Sequence, residues 1–164
     1  MTACTLREAT ASDVPDVLRL VRGLADYEKL LHEAVATEAE FHTALFGAQP
    51  RAYAVLAIAD GSAVGLALWY YTFSTFTGRR DIFLEDLFVE PAWRGRGIGR
   101  ALLRDLARRA VAENCRRVEW RVLNWNQPSI DFYQSIGAHP MRDWHVRQLA
   151  GAALIALAEG ADNG

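Results

Sequence analysis

Apolar residues recur along this chain with two different periods, and the changes of period divide it into elements. A short alternation around Leu6 predicts a first strand over Thr5 to Ala9. Val14, Val17, Leu18, Val21 and Leu24 then recur at helical spacing, with Asp13, Pro15 and Asp16 in the first turn and Ser12 as the expected N-cap. A second helix is predicted over Thr37 to Phe46, closed by Gly47. Ala52 to Ala59 reads as a strand, Asp60-Gly61 as a hairpin turn, and Ala63 to Phe73 as the returning strand. Ile82 to Val89 is the next strand, stopped by Pro91. Helical spacing resumes from Ile98 to Glu113, followed by a strand over Arg117 to Leu123 and a helix over Pro128 to Ser135. Strand-like stretches near Ala138 and Trp144 precede a last apolar segment, Ala152 to Ala158, expected to be helical. The order β-α-α-β-β-β-α-β-α-β describes an α+β fold with a central mixed, mostly antiparallel sheet flanked by helices.

The junction between the Ile82–Val89 strand and the following helix carries the densest chemistry. Arg94-Gly95-Arg96-Gly97-Ile98-Gly99 places three glycines where the backbone must turn tightly and come close to a ligand. A helix start supplies unpaired N–H groups and the positive end of the helix dipole, and Arg94, Arg96 and Arg100 add fixed charge. A pyrophosphate suits such a turn. A mononucleotide P-loop is excluded, because Gly99 is followed by Arg100-Ala101 instead of Lys-Ser/Thr. A dinucleotide fingerprint also fails, since the sixth position counted from Gly95 is Arg100.

Arg94, Gly97 and Gly99 match the pattern Arg/Gln-x-x-Gly-x-Gly/Ala, and the stretch resembles the acetyl-coenzyme A signature of the GNAT acetyltransferases. The preceding Leu84-Glu85-Asp86-Leu87-Phe88-Val89-Glu90-Pro91 resembles that family's bulged strand, and Trp125 to Ala138 its second conserved block. Leu24 to Leu30, Tyr70-Tyr71-Thr72-Phe73 and Phe83 to Asp86 are similar to the branch that acts on diamines, polyamines and thialysine. The resemblance runs in order from about Leu6 to Leu157 and implies one GNAT domain over residues 1–164, acetyl-coenzyme A as donor, a small-molecule amine as acceptor and a homodimer.

Acetyl transfer from a thioester to an amine needs a cradle for the donor, polarisation of its carbonyl, a neutral amine and a proton for the departing thiolate. The resemblance assigns main-chain groups of Leu87, Phe88 and Val89 to the donor's pantetheine, the turn from Arg94 to Arg100 (with Gly95, Arg96, Gly97, Ile98 and Gly99) to its pyrophosphate, and Asn126 and Ser129 to further donor contacts. It makes Tyr133 the general acid, a donor at neutral pH because a phenol titrates near ten. Glu85 is the candidate for holding and deprotonating the amine, directly or through water. Period-two alternation groups Phe83, Glu85 and Leu87 on one face and Ile82, Leu84, Asp86 and Phe88 on the other. Two acids in an otherwise apolar strand need partners or a cleft. Asp86, Tyr27 and Glu28 complete the implied amine site. Polyamine enzymes carry a glutamate on each side of the Trp-Asn pair, whereas Asn124 and Gln127 here are neutral. Arg121 would repel a polyamine but suits the carboxylate of an amino acid such as thialysine or ornithine; its alternative role is a solvent-facing or salt-bridged strand arginine. A peptide or protein N-acetyltransferase and a non-catalytic acyl-coenzyme A sensor are the competing functions, and Tyr133 with Glu85 favours the enzyme.

Composition narrows the rest. A chain of 164 residues, 51% hydrophobic, holds enough apolar material for a core. No apolar run approaches the roughly twenty residues of a membrane span, and the first residues lack the basic-then-apolar pattern of an export signal. The two cysteines, Cys4 and Cys115, are expected to be reduced, and the location cytoplasmic. Net charge of −2 gives no support for nucleic-acid binding. The four histidines have no paired-ligand spacing, so no metal is expected.

Overall fold

The computed structural model describes residues 4–160, which fall into two compact units divided between Leu123 and Asn124. The first unit is built on five strands in sequential order: β1 (Thr5–Glu8), β2 (Tyr53–Ala59), β3 (Ser62–Ser74), β4 (Arg79–Val89) and β5 (Val118–Trp120). The first four pair antiparallel. The fifth runs parallel to β4, because a helix, α3 (Ile98–Ala112), carries the chain back between them. Asp60 and Gly61 join β2 to β3 with φ of 49° and 76°, as a tight hairpin turn requires.

Helices α1 (Val14–Tyr27) and α2 (Glu38–Phe46) cover one face of the sheet. Their Val17, Leu20 and Leu45 pack with Ala54, Leu56, Leu66, Leu68 and Phe88, alternate residues of three strands. The intervening Val55, Ala57, Ala67, Trp69, Ile82 and Leu84 are equally buried on the face where α3 supplies Ile98, Leu102 and Leu106. Burial on both faces explains why the central strands read as continuous apolar runs.

The first helix starts differently from expectation. Ser12 lies in a short 3-10 turn (Ala11–Asp13), and Asp13 occupies the N-cap position of α1. The Asp13 carboxylate accepts from the Thr10 N–H and hydroxyl and from Arg7, all at 2.7 Å. The Arg7 guanidinium holds that carboxyl well below the usual carboxylate range. The α2 cap is as expected: Thr37 accepts from the Glu40 N–H, and Glu40 reaches back to the Thr37 N–H at 2.8 Å.

The second unit contains α4 (Gln127–Ser135) and α5 (Gly151–Ala158). The strands expected near Ala138 and Trp144 do not form; residues 136–150 hold only turns and irregular backbone. Among the described residues no ladder includes a residue beyond Trp120. A strand needs a partner edge, and strand-like composition alone does not provide one.

Candidate active site

One inserted residue shapes the middle of β4. Leu68 pairs with Asp86 while the next residue, Trp69, pairs with Leu84, so Glu85 is an extra residue in the ladder, a β-bulge. Side chains directly opposite in a ladder share a face. Phe83 (opposite Tyr70), Asp86 (opposite Leu68) and Phe88 (opposite Leu66) therefore face α1, while Ile82, Leu84 and Leu87 face α3. The unbroken alternation read from the sequence had grouped Asp86 with Leu84 and Phe83 with Leu87; the bulge reverses both assignments.

The bulge also limits the other edge of β4. Its pairing with β5 covers only Ile82↔Val118 to Leu84↔Trp120, so the strand expected over Arg117 to Leu123 is three residues long. A bulge bends and twists its strand, and the straight parallel ladder stops there. Residues 85–89 consequently have main-chain groups on the outer edge that the β5 ladder leaves unpaired.

On the α1 side the bulge brings carboxylates together. Asp86 is half-buried, and Glu28, the C-cap of α1, is partly covered as well. Burial, with the Glu85 and then the Glu28 carboxylate nearby, pushes Asp86 up to about 7. Burial also raises Glu28. Among the described residues no cation forms a salt bridge with any of these three acids. Tyr27, the last residue of α1, packs under the Arg94 guanidinium at 4.7 Å.

Arg121 follows β5 and lies 5.2 Å over the Phe83 ring, which in turn packs against Tyr70 at 5.3 Å. Burial and the Glu85 charge raise the Tyr70 phenol, and Arg121 opposes them. Tyr70 thus lies within electrostatic reach of both an acid and a base. The neighbouring acid on β5, Glu119, forms its salt bridge with Arg117 at 3.2 Å and not with Arg121.

At the glycine turn, Gly95 and Gly97 have φ of 73° and 79°, and Gly97 is the N-cap of α3. A Cβ built on either would meet nothing within 4 Å, so open space lies before the turn. Gly99 has ordinary helical backbone, and its Cβ would only touch Val89 Cγ2 at 3.9 Å. Arg96 bends back to the Ala92 carbonyl at 3.2 Å and over Trp93, while Arg94 Nε donates to the Val89 carbonyl at 2.9 Å.

The second unit carries the remaining candidates. Asn126 is buried at the N-cap of α4 and accepts from the Ser129 N–H at 3.4 Å. Tyr133 lies in the last turns of α4, half-buried, beside Phe132.

The model of the acetyltransferase (GNAT) family matches residues 21–138. The pig thialysine N-epsilon-acetyltransferase is 34% identical over 96% of this chain and 99% of its own length. The chain belongs to the GNAT acetyltransferase family. The L-ornithine N5-acetyltransferase NATA1 of Arabidopsis thaliana is 27% identical, covering 93% of this chain and 86% of its own. Among solved structures, an integron cassette protein from the mobile metagenome of V. cholerae superposes with a TM-score of 0.80 at 26% identity, over 95% of this chain and 98% of that one.

Within this GNAT enzyme the first unit brings Tyr27, Glu28, Glu85, Asp86 and Arg121 to the α1 side of β4, with the turn from Arg94 to Arg100 beyond its end. Tyr70 and Phe83 were not singled out as site residues from sequence. Both lie in stretches that carry the family resemblance, but that they face each other becomes legible only once the hairpin register is known.

Proposed function

We propose that this protein transfers the acetyl group of acetyl-coenzyme A to the primary amine of a small diamine or a basic amino acid. The bulge at Glu85 carries the reading, because one inserted residue both frees the outer edge of β4 and turns Asp86 toward α1. A cation fits three carboxylates that no salt bridge neutralises among the described residues, and an extended amide chain fits an unpaired strand edge. The open space at Gly95 and Gly97 and the start of α3 suit a pyrophosphate. The two units act as one acetyltransferase domain, a reading supported by a family match that runs across their boundary.

In this reading acetyl-coenzyme A supplies the activated acetyl thioester. Main-chain groups of Leu87, Phe88 and Val89 hold its pantetheine arm and polarise the carbonyl. N–H groups from Gly95 to Arg100, with the charges of Arg96 and Arg100, hold the phosphates, and Asn126 and Ser129 add contacts from the second unit. Glu28, Glu85 and Asp86 draw in the cationic amine, and Tyr27 and Tyr70 wall the site. A carboxylate of this group takes the ammonium proton, directly or through water, leaving a nucleophilic amine. Tyr133 gives a proton to the departing thiolate. Arg121 reads a distal carboxylate, which favours amino acids over polyamines, in keeping with relatives that are thialysine and ornithine acetyltransferases.

The enzyme works in the cytoplasm as a homodimer. Trp144, Val146, Leu154, Ile155 and Leu157 of the second unit are exposed and supply apolar interface material. Acetyl-coenzyme A turnover across diamines, basic amino acids, polyamines and peptides tests the function: fastest turnover on ornithine or thialysine supports it, and turnover on peptides alone rejects it. Light scattering at assay concentration tests the dimer, and a fully active monomer rejects it.

A further inference from the structure

The Arg94 side chain lies outside the turn that it opens. Its guanidinium covers the Tyr27 ring at 4.7 Å, approaches the Phe88 ring at 5.7 Å, and donates from Nε to the Val89 carbonyl at 2.9 Å. Tyr27 ends α1, and Lys29 just beyond it has a left-handed φ of 63°, so the chain turns away there. From the inside, α1 is set against β4 by the Phe88 ring, which comes so close to Gly23 that a Cβ would stand 2.8 Å from it. From the outside, Arg94 closes the same joint. We infer that the Arg94 side chain is a positioning group for the amine wall, bracing Tyr27 against the end of β4, and that the phosphates are held without it.

The chemistry of the contact explains the residue type. A planar guanidinium stacks its face on an aromatic ring while an edge N–H reaches a carbonyl; an ammonium is a point donor and cannot do both. The first arginine of the turn therefore acts on the acceptor side of the enzyme through Tyr27. Its main-chain N–H stays with the turn, where it donates to the Pro91 carbonyl at 3.3 Å.

This inference rests on the proposed amine and donor sites, and the test separates the two. Wild type, Arg94→Lys, Arg94→Met, Tyr27→Ala and the Arg94→Met/Tyr27→Ala double variant are compared by calorimetry with coenzyme A and by steady-state kinetics on ornithine at saturating acetyl-coenzyme A. Arg94 is exposed, and coenzyme A affinity doubles as the check that each variant is folded. Both Arg94 variants are expected to raise the amine KM about three- to tenfold, with kcat and coenzyme A affinity changed less than about twofold, the range open to an exposed cation–π contact and one charged hydrogen bond. The double variant should match Tyr27→Ala alone, because the brace has nothing left to hold. Coenzyme A affinity falling as far as amine KM rises would make Arg94 a phosphate ligand and overturn the inference. An unchanged amine KM, a wild-type KM in Arg94→Lys, or fully additive losses would overturn it equally. Wild-type protein with no coenzyme A affinity would overturn the proposed function and this inference with it.

Discussion

Leu84 and Asp86, two residues apart on one strand, point to opposite faces of the sheet. In a regular strand they would share a face, and Asp86 would be buried against α3 beside Leu84. The inserted Glu85 instead turns Asp86 toward α1, where Glu28 and Glu85 add their charges to it. The first prediction comes from that arrangement.

Asp86 keeps its proton up to about pH 7, whereas in the unfolded chain it titrates near the ordinary aspartate value. Between about pH 4 and pH 7 the unfolded chain has released this proton and the folded protein still holds it, so stability falls as pH rises across that window. Asp86→Asn removes the penalty. Thermal melts should show the variant a few degrees more stable than wild type at pH 8, with the difference gone by pH 4. A wild type whose stability rises from pH 4 to pH 7 relative to the variant would contradict the assignment.

Gly97→Val should abolish coenzyme A binding while leaving the fold in place. Nothing surrounds a Cβ there, so the cost is the left-handed backbone, about 1–2 kcal/mol for a residue with a side chain. Relief of that strain moves the N–H groups proposed to hold the phosphates. Gly99→Ala, with ordinary φ and only Val89 nearby, should bind nearly as wild type. Calorimetry on both variants checks the contrast, and equal affinities for the two would count against the turn.

Tyr133→Phe should lower kcat about a hundredfold or more with little change in coenzyme A affinity, since the variant loses only the hydroxyl proposed as the proton donor. Turnover at saturating substrate near the wild-type level would assign the proton to water or to another group.

Glu85→Gln should lower kcat/KM on every amine, because each presents its nitrogen at the same place. Arg121→Ala should weaken amino-acid substrates selectively, by about 1.5–3 kcal/mol if a charged hydrogen bond to the carboxylate is lost, and leave diamines equal or improved. Parallel kinetics on ornithine and a simple diamine decide it. Equal losses on both would leave Arg121 as the cover of the Phe83 ring and nothing more.

Gly23→Ala tests the joint between α1 and β4. Its Cβ would stand 2.8 Å from Phe88 Cε1, so the ring or the helix must move. Overpacking of this kind costs about 1–3 kcal/mol, readable as a lowered urea midpoint. A neutral or stabilising result, as expected of a glycine-to-alanine change in an open helix, would show that the ring yields freely.

Local signals were sufficient wherever local physics decides. Thr37 and Glu40 cap α2 because both partners lie within one turn, and Asp60-Gly61 forms a hairpin because both residues tolerate positive φ. The glycine turn before α3 was legible for the same reason. At Ser12 a competing local choice won: Asp13 accepts from both Thr10 and Arg7, and the serine one place along lost the cap. The strand-like stretches near Ala138 and Trp144 misled because a strand exists only where an edge accepts it.

By itself, then, the sequence determined the helices, the hairpin, the phosphate-type turn and the residue types available for chemistry, since each depends on contacts a few residues long. Tertiary structure decided which face each β4 side chain takes, how far β5 runs, and which side chain meets Arg94. Those outcomes turn on one unpaired residue in a ladder between strands. Glu85 is a bulge only relative to Leu68 and Trp69, seventeen and sixteen positions earlier in the chain. No periodicity within β4 records that mismatch, because a bulge belongs to a pair of strands.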